Sequence, residues 1–109
     1  MTRPVSWSRR ALRDIKEQVD FISHDNDIAG MRVSKAIRQT GTGLGKALTG
    51  RPGRGLGLFE KSVPKLPFIL AYVIRVSGNE ETVVILRVIH TARNWPAGGW
   101  PGDAGGTAT

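Results

Sequence analysis

The strongest constraint on this chain is a pair of apolar runs, Phe-Ile-Leu-Ala-Tyr-Val-Ile-Arg-Val at residues 68 to 76 and Thr-Val-Val-Ile-Leu-Arg-Val-Ile-His at 82 to 90. Both are rich in β-branched residues, and Ser77-Gly78-Asn79-Glu80-Glu81 between them has the composition of a hairpin turn. They read as the central strands of a sheet. Apolar side chains occupy both odd and even positions, broken mainly by Arg75 and Arg87, so both faces of that sheet need cover. If the hairpin pairs odd with odd positions, Arg75 and Arg87 share a face with Ile69, Val73 and Ile85, opposite any helices.

The rest of the chain can supply one cover. Residues 4 to 7, Pro-Val-Ser-Trp, read as a short first strand, and Ser8 is placed to cap a helix whose apolar positions Leu12, Ile15, Val19 and Phe21/Ile22 follow the helical period. Ser23-His24-Asp25-Asn26 marks its end. Asp27 is placed to cap a second helix with Met31, Val33, Ala36, Ile37, Leu44 and Leu48 as its stripe, interrupted by Gly41, Gly43 and Gly45. Residues 50 to 57, with Pro and four Gly, read as a loop, and residues 58 to 63 as another strand. The expected fold is α+β in the order β-α-α-β-β-β, with two helices on one face of a small, twisted, mostly antiparallel sheet. Residues 1 to 96 form the domain, and residues 97 to 109, with five Gly, form a flexible tail.

A length of 109 residues suits one core. The absence of cysteine excludes disulfides, thiolate nucleophiles and Cys-based zinc sites. His24 and His90 are too few for a multi-histidine metal site, so no metal or other cofactor is expected. No apolar run spans a bilayer and no signal-peptide core follows the N-terminus, which makes the cytoplasm the expected location. The formal net charge is +7, and the excess is local: Arg32, Lys35, Arg38, Lys46, Arg51, Arg54, Lys61 and Lys65 face one acid, Glu60, between residues 32 and 65. Such a surface favours an acidic partner. The first helix mixes Arg9, Arg10, Arg13 and Lys16 with Asp14, Glu17 and Asp20, as a solvated helix face does.

Familiar catalytic motifs fail on inspection. A phosphate loop in the Gly41 to Gly57 stretch needs Gly where Thr40 stands and Ser or Thr where Ala47 follows Lys46. The acids cluster where charges are normally solvated, which argues against a paired-carboxylate site. Ser62, His90 and Asp25 spell a triad, but no nucleophile elbow accompanies them. Phosphate chemistry on RNA is the remaining enzymatic option, with Arg54, Lys61, Arg87, His90 and Arg93 as candidates to bind phosphate, stabilise charge and move a proton. A histidine at a strand end is more often structural.

The order of elements, with Val5-Ser-Trp-Ser8, Pro52-Gly-Arg54, Phe59-Glu60, Leu66-Pro-Phe68, Tyr72 and the ending Leu86-Arg-Val-Ile-His-Thr-Ala-Arg-Asn-Trp-Pro96, resembles the RelE/ParE superfamily of bacterial type II toxins over residues 4 to 96. The most specific piece is that ending, which resembles the Arg-Val-x-His-x-x-Arg-x-Trp-Pro ending of ParE-like members. The superfamily holds two activities. RelE-like members cut messenger RNA in the ribosome, whereas ParE-like members bind DNA gyrase and trap it on cleaved DNA. RelE-like enzymes carry two Lys where this chain has Glu60 and Ser62, an Arg where it has Ile69, and a late Tyr that it lacks. Only Arg93 matches.

The resemblance therefore implies a gyrase-binding toxin rather than an enzyme, with a RelE-like ribonuclease as the alternative. It also implies a cognate antitoxin, acidic overall, whose C-terminal segment folds on the toxin. Ile69, Val73, Arg75, Ile85 and Arg87 are the expected antitoxin contacts. Arg93, Trp95 and Trp100, a cation with aromatic anchors, are the expected contacts with the target, through which nucleic acid is met only indirectly.

Overall fold

The computed structural model describes residues 2–53, 55 and 57–92. Its elements are β1 (Val5–Trp7), α1 (Arg9–Asp25), α2 (Asp27–Lys46), β2 (Arg51–Pro52), β3 (Phe59–Ser62), β4 (Phe68–Ser77) and β5 (Glu80–His90). Five strands make one sheet in the order β1-β5-β4-β3-β2, so the hairpin of the two apolar runs holds its middle. β1 runs parallel to β5, with Val5 opposite Val83 and Trp7 opposite Ile85, and the other pairs are antiparallel. The expected α+β architecture is the observed one.

Local chemistry explains the boundaries. Ser8 accepts the Ala11 N–H at 3.0 Å and starts α1. Asn26, not Asp27, caps α2, its side chain accepting the Ala29 N–H at 3.0 Å. Asp27 instead occupies the first turn, where a carboxylate faces the positive end of the helix. The hairpin turn is tighter than the sequence suggests, because Ser77 pairs with Glu80 and leaves only Gly78-Asn79 as the loop. Gly78 has φ +61°, as the first position of a type II′ turn requires. The stretch read as a loop contains β2, which pairs Arg51 with Glu60 and Pro52 with Phe59. Proline is tolerated there because β2 is an edge strand.

The main core lies between the helices and the sheet. Ala11 and Ile15 of α1 and Val33, Ile37 and Leu44 of α2 pack on Phe68, Leu70, Tyr72, Val83, Ile85 and Val88. A smaller cluster of Leu58, Ile69, Ala71 and Ile89, with Val73 and Leu86 against it, lies on the opposite face. A bulge divides the β4–β5 ladder: Ala71 pairs with Arg87 and Tyr72 with Ile85, leaving Leu86 as the extra residue. Odd-with-odd pairing thus holds from Ile69–Ile89 to Ala71–Arg87 and fails beyond. The expected common face of Ile69, Val73, Arg75, Ile85 and Arg87 is corrected accordingly, since Ile85 turns into the helix-side core.

Tyr72, the chain's single tyrosine, stacks on Phe59 with ring centroids 5.5 Å apart and donates its hydroxyl to the Thr49 carbonyl at 2.6 Å. Burial raises its pKa above the ordinary 10.0. Above pH 10 the unfolded chain loses this proton first, so stability should be intact below that value and fall as pH rises through the folded pKa. Absorbance of tyrosinate, read beside unfolding midpoints at each pH, checks this. Ionisation at the ordinary pKa with no loss of stability would contradict it.

Candidate partner-binding surfaces

The most closely held polar group joins α1 to β5. Asp14, 4% exposed, accepts from Arg87 Nε at 2.8 Å, from Arg87 Nη2 at 3.3 Å and from the Val88 backbone N–H at 2.9 Å. Arg10, one turn earlier, adds a contact at 3.4 Å. β1 stops pairing at Ile85, so the edge of β5 beyond it would be open. α1 closes that edge: Ser8 donates to the Leu86 carbonyl at 2.9 Å and Asp14 accepts from Val88. The expectation that α1's charges are all solvated is therefore wrong for Asp14. Its signal in sequence was the register Ala11, Asp14, Ile15, Gln18, one buried stripe.

Of the candidates for phosphate chemistry, the three that are described, Lys61, Arg87 and His90, are not brought together. Arg87 is engaged with Asp14. His90 pairs with Phe68 across the ladder, meets its ring edge-on at 5.1 Å, and accepts the Ala92 N–H on Nδ1 at 3.1 Å. Lys61 lies on β3 opposite Leu70, with all of β4 between it and β5, so it stands two strand spacings from His90, about 10 Å or more. Glu60 is buried at 8% exposure beside the Arg51 guanidinium at 3.5 Å. Arg54 and Arg93 lie outside the described residues, as do Trp95, Trp100 and the proposed tail of residues 97 to 109.

Two surfaces could receive a partner. On the outer sheet face, Ile69 and Val73 belong to the smaller cluster, and Arg75, next in alternation, is exposed. Ile85 does not join them, and Arg87 is held by α1. On the helical side, Phe21 (74% exposed), Ile28 and Met31 (71%) are open large apolar residues around the α1–α2 turn. A groove of about 830 Å³ runs from Val19 and Met31 past Lys35 and Arg38 to Lys46. Sequence reading located the charge but not the groove. The available signal was the spacing of Lys35, Arg38, Thr42 and Lys46, which falls on one helix face.

No helix among the described residues is long and apolar enough to cross a membrane. The fold, with two helices laid on one side of a five-stranded sheet, is one shared with a chain of a solved toxin–antitoxin system. It superposes with a TM-score of 0.69 on a chain of the solved "Chromosomal ParDE TA system from P. aeruginosa", at 20% identity, covering 82% of this chain and 96% of that one. Residues 5–95 match the family model for the ParE toxin of the type II toxin-antitoxin system parDE. A relative from Sinorhizobium fredii (strain NBRC 101917 / NGR234), named "Putative toxin Y4kP", is 33% identical over 93 residues, which is 84% of this chain and 92% of the relative. The chain belongs to the ParE toxin family of type II toxin–antitoxin systems.

Proposed function

We propose that this toxin acts in the cytoplasm by binding DNA gyrase, not by cutting RNA, and that a cognate acidic antitoxin neutralises it. The observation that supports the reading is the separation of the acid–base candidates among the described residues. Lys61 and His90 are held on strands separated by β4, and Arg87 is committed to Asp14. General acid–base catalysis needs its groups within hydrogen-bond reach of one reacting centre. A carboxylate at Glu60 adds the wrong charge for a scissile phosphate.

The antitoxin segment is assigned to the outer sheet face, where Ile69 and Val73 offer apolar anchors and Arg75 a cation for an acidic chain. A segment seated there would also raise the toxin's apparent stability by mass action. Arg93, Trp95 and Trp100 are assigned to the gyrase contact by their chemistry, a cation with two large aromatic anchors.

Purified toxin should inhibit gyrase supercoiling in proportion to its concentration and leave ribosome-bound message uncut. His90→Gln should keep that inhibition within about three-fold of the parent. A general acid–base role would instead cost about 100-fold or more. Message cutting that disappears with His90→Gln would establish the ribonuclease in place of the gyrase inhibitor.

A further inference from the structure

Two grooves meet on the outer side of α2. The larger holds Lys35, Arg38 and Lys46 with the hydroxyls of Ser34 and Thr42. The smaller, about 220 Å³, shares Gln39 and Gly43 with it and continues to Thr49 and Lys61. No carboxylate lines either one, among the described residues. Lys35, Arg38 and Lys46, three of the four cations of α2, fall on one helical face, and Lys35 to Lys46 spans about 17 Å at 1.5 Å per residue, half a turn of duplex DNA. At Gly43 the surface is bare, with nothing within 4 Å of where a Cβ would stand.

We propose that this face of α2 is a binding surface for the backbone of duplex DNA. Lys, Arg, Ser, Thr and Gln are the side chains that contact phosphate oxygens, and a row of them without carboxylates suits a polyanion. An acidic amphipathic helix is the less suitable occupant. It needs apolar anchors along its whole length, whereas in the larger groove the apolar side chains among the described residues are Val19 and Met31, both at the end near the α1–α2 turn. Among the described residues no aromatic ring lines either groove, which favours a duplex over unpaired bases that would need rings to stack on. The choice of DNA over RNA rests on the gyrase reading, because a toxin seated on gyrase lies beside the duplex that the enzyme holds. The antitoxin surface on the outer sheet is separate, so this contact adds to the toxin's grip on its target and is not where it is neutralised.

The test is fluorescence anisotropy of a labelled DNA duplex of about 20 base pairs with the purified full-length toxin, in salt from about 50 to 200 mM. The variant K35Q/R38Q/K46Q should bind at least ten-fold more weakly, with the slope of log affinity against log salt reduced by about 3, near 0.9 for each phosphate no longer neutralised. R9Q/R13Q/K16Q removes equal charge from α1 and should stay within about two-fold of the parent. Circular dichroism melting checks folding, and if the triple variant does not fold, Arg38→Gln alone should lower the slope by about 1. Equal losses in the two triple variants would overturn the surface, leaving only unlocalised charge. Equal or tighter binding of duplex RNA would overturn the choice of DNA. Tighter binding of an acidic amphipathic helical peptide, abolished in K35Q/R38Q/K46Q, would make the groove a protein dock. Duplex DNA binding localised to α2 in a toxin that leaves supercoiling untouched would defeat the gyrase reading while supporting the surface.

Discussion

Asp14→Ala is expected to destabilise the toxin by about 3 to 5 kcal/mol, the usual cost of removing one partner from a buried ion pair. Three hydrogen bonds go at once, together with the longer contact to Arg10. Arg87, whose side chain is 13% exposed, loses its bidentate carboxylate, and the Val88 N–H loses its acceptor at the unpaired edge of β5. A buried N–H without an acceptor carries its full desolvation penalty. For a domain of this size each kcal/mol moves the melting temperature by about 4 to 8 °C, so a drop of at least about 12 °C is expected. Asp14→Asn keeps an oxygen for Val88 but loses the charge, and should fall between the variant and the parent. Replacing both partners, Asp14→Leu with Arg87→Met, should recover part of the loss, because apolar pairs of similar volume can substitute for buried ion pairs. A loss below about 1 kcal/mol for Asp14→Ala would mean that α1 is held on β5 by its apolar stripe alone.

The same residue shows where sequence reading stops. Asp14 shares its helix with Glu17, Asp20, Arg10 and Lys16, and only its register with Ala11 and Ile15 separates it from solvated charges that form i,i+4 pairs, such as Lys16 with Asp20 at 2.7 Å. What distinguishes it is an open strand edge 74 residues away, at Val88. Element types were legible because they depend on short-range patterns: the two apolar runs, the Gly78-Asn79 turn and the helical period from Leu12 to Ile22 each carry their own signal. The face assignment of Ile85 was not legible. One extra residue at Leu86 inverts the alternation, and a bulge leaves no compositional mark in a run that is apolar on both faces. β2 was missed for a similar reason, since Arg51 and Pro52 become a strand only by pairing with Glu60 and Phe59. The basic segment was visible as charge. Its concentration into a groove depended on α2 continuing unbroken to Lys46, through three glycines that argue locally against a helix.

Those glycines are expected to respond to alanine with opposite signs. Gly43 faces open space, with nothing within 4 Å of a Cβ, so Gly43→Ala should stabilise the toxin by about 0.5 to 1 kcal/mol through helix propensity. Two residues on, a Cβ at Gly45 would stand 2.5 Å from the Arg3 carbonyl oxygen and 2.9 Å from Val5 Cγ2. The backbone there cannot swing aside as a side chain would, because the Arg3 N–H donates to the Gly45 carbonyl at 2.7 Å and Val5 is already paired with Val83. Gly45→Ala must therefore push β1 off α2 or bend the helix, at a cost of about 1 to 3 kcal/mol from overpacking. A methyl at Gly41 would overlap the Trp7 ring and the end of Ile85, both side chains, and should cost less wherever Trp7 can shift. Urea midpoints at unchanged m-value would rank the three. The expected order of stability is Gly43→Ala above the parent, Gly41→Ala below it and Gly45→Ala lowest. If Gly45→Ala proved as stable as Gly43→Ala, close approach of β1 would not be what requires glycine there. With the predicted order, two of the three interruptions in α2's apolar stripe, Gly41 and Gly45, are the places where the β1 segment comes close to the helix, and Gly43 is not.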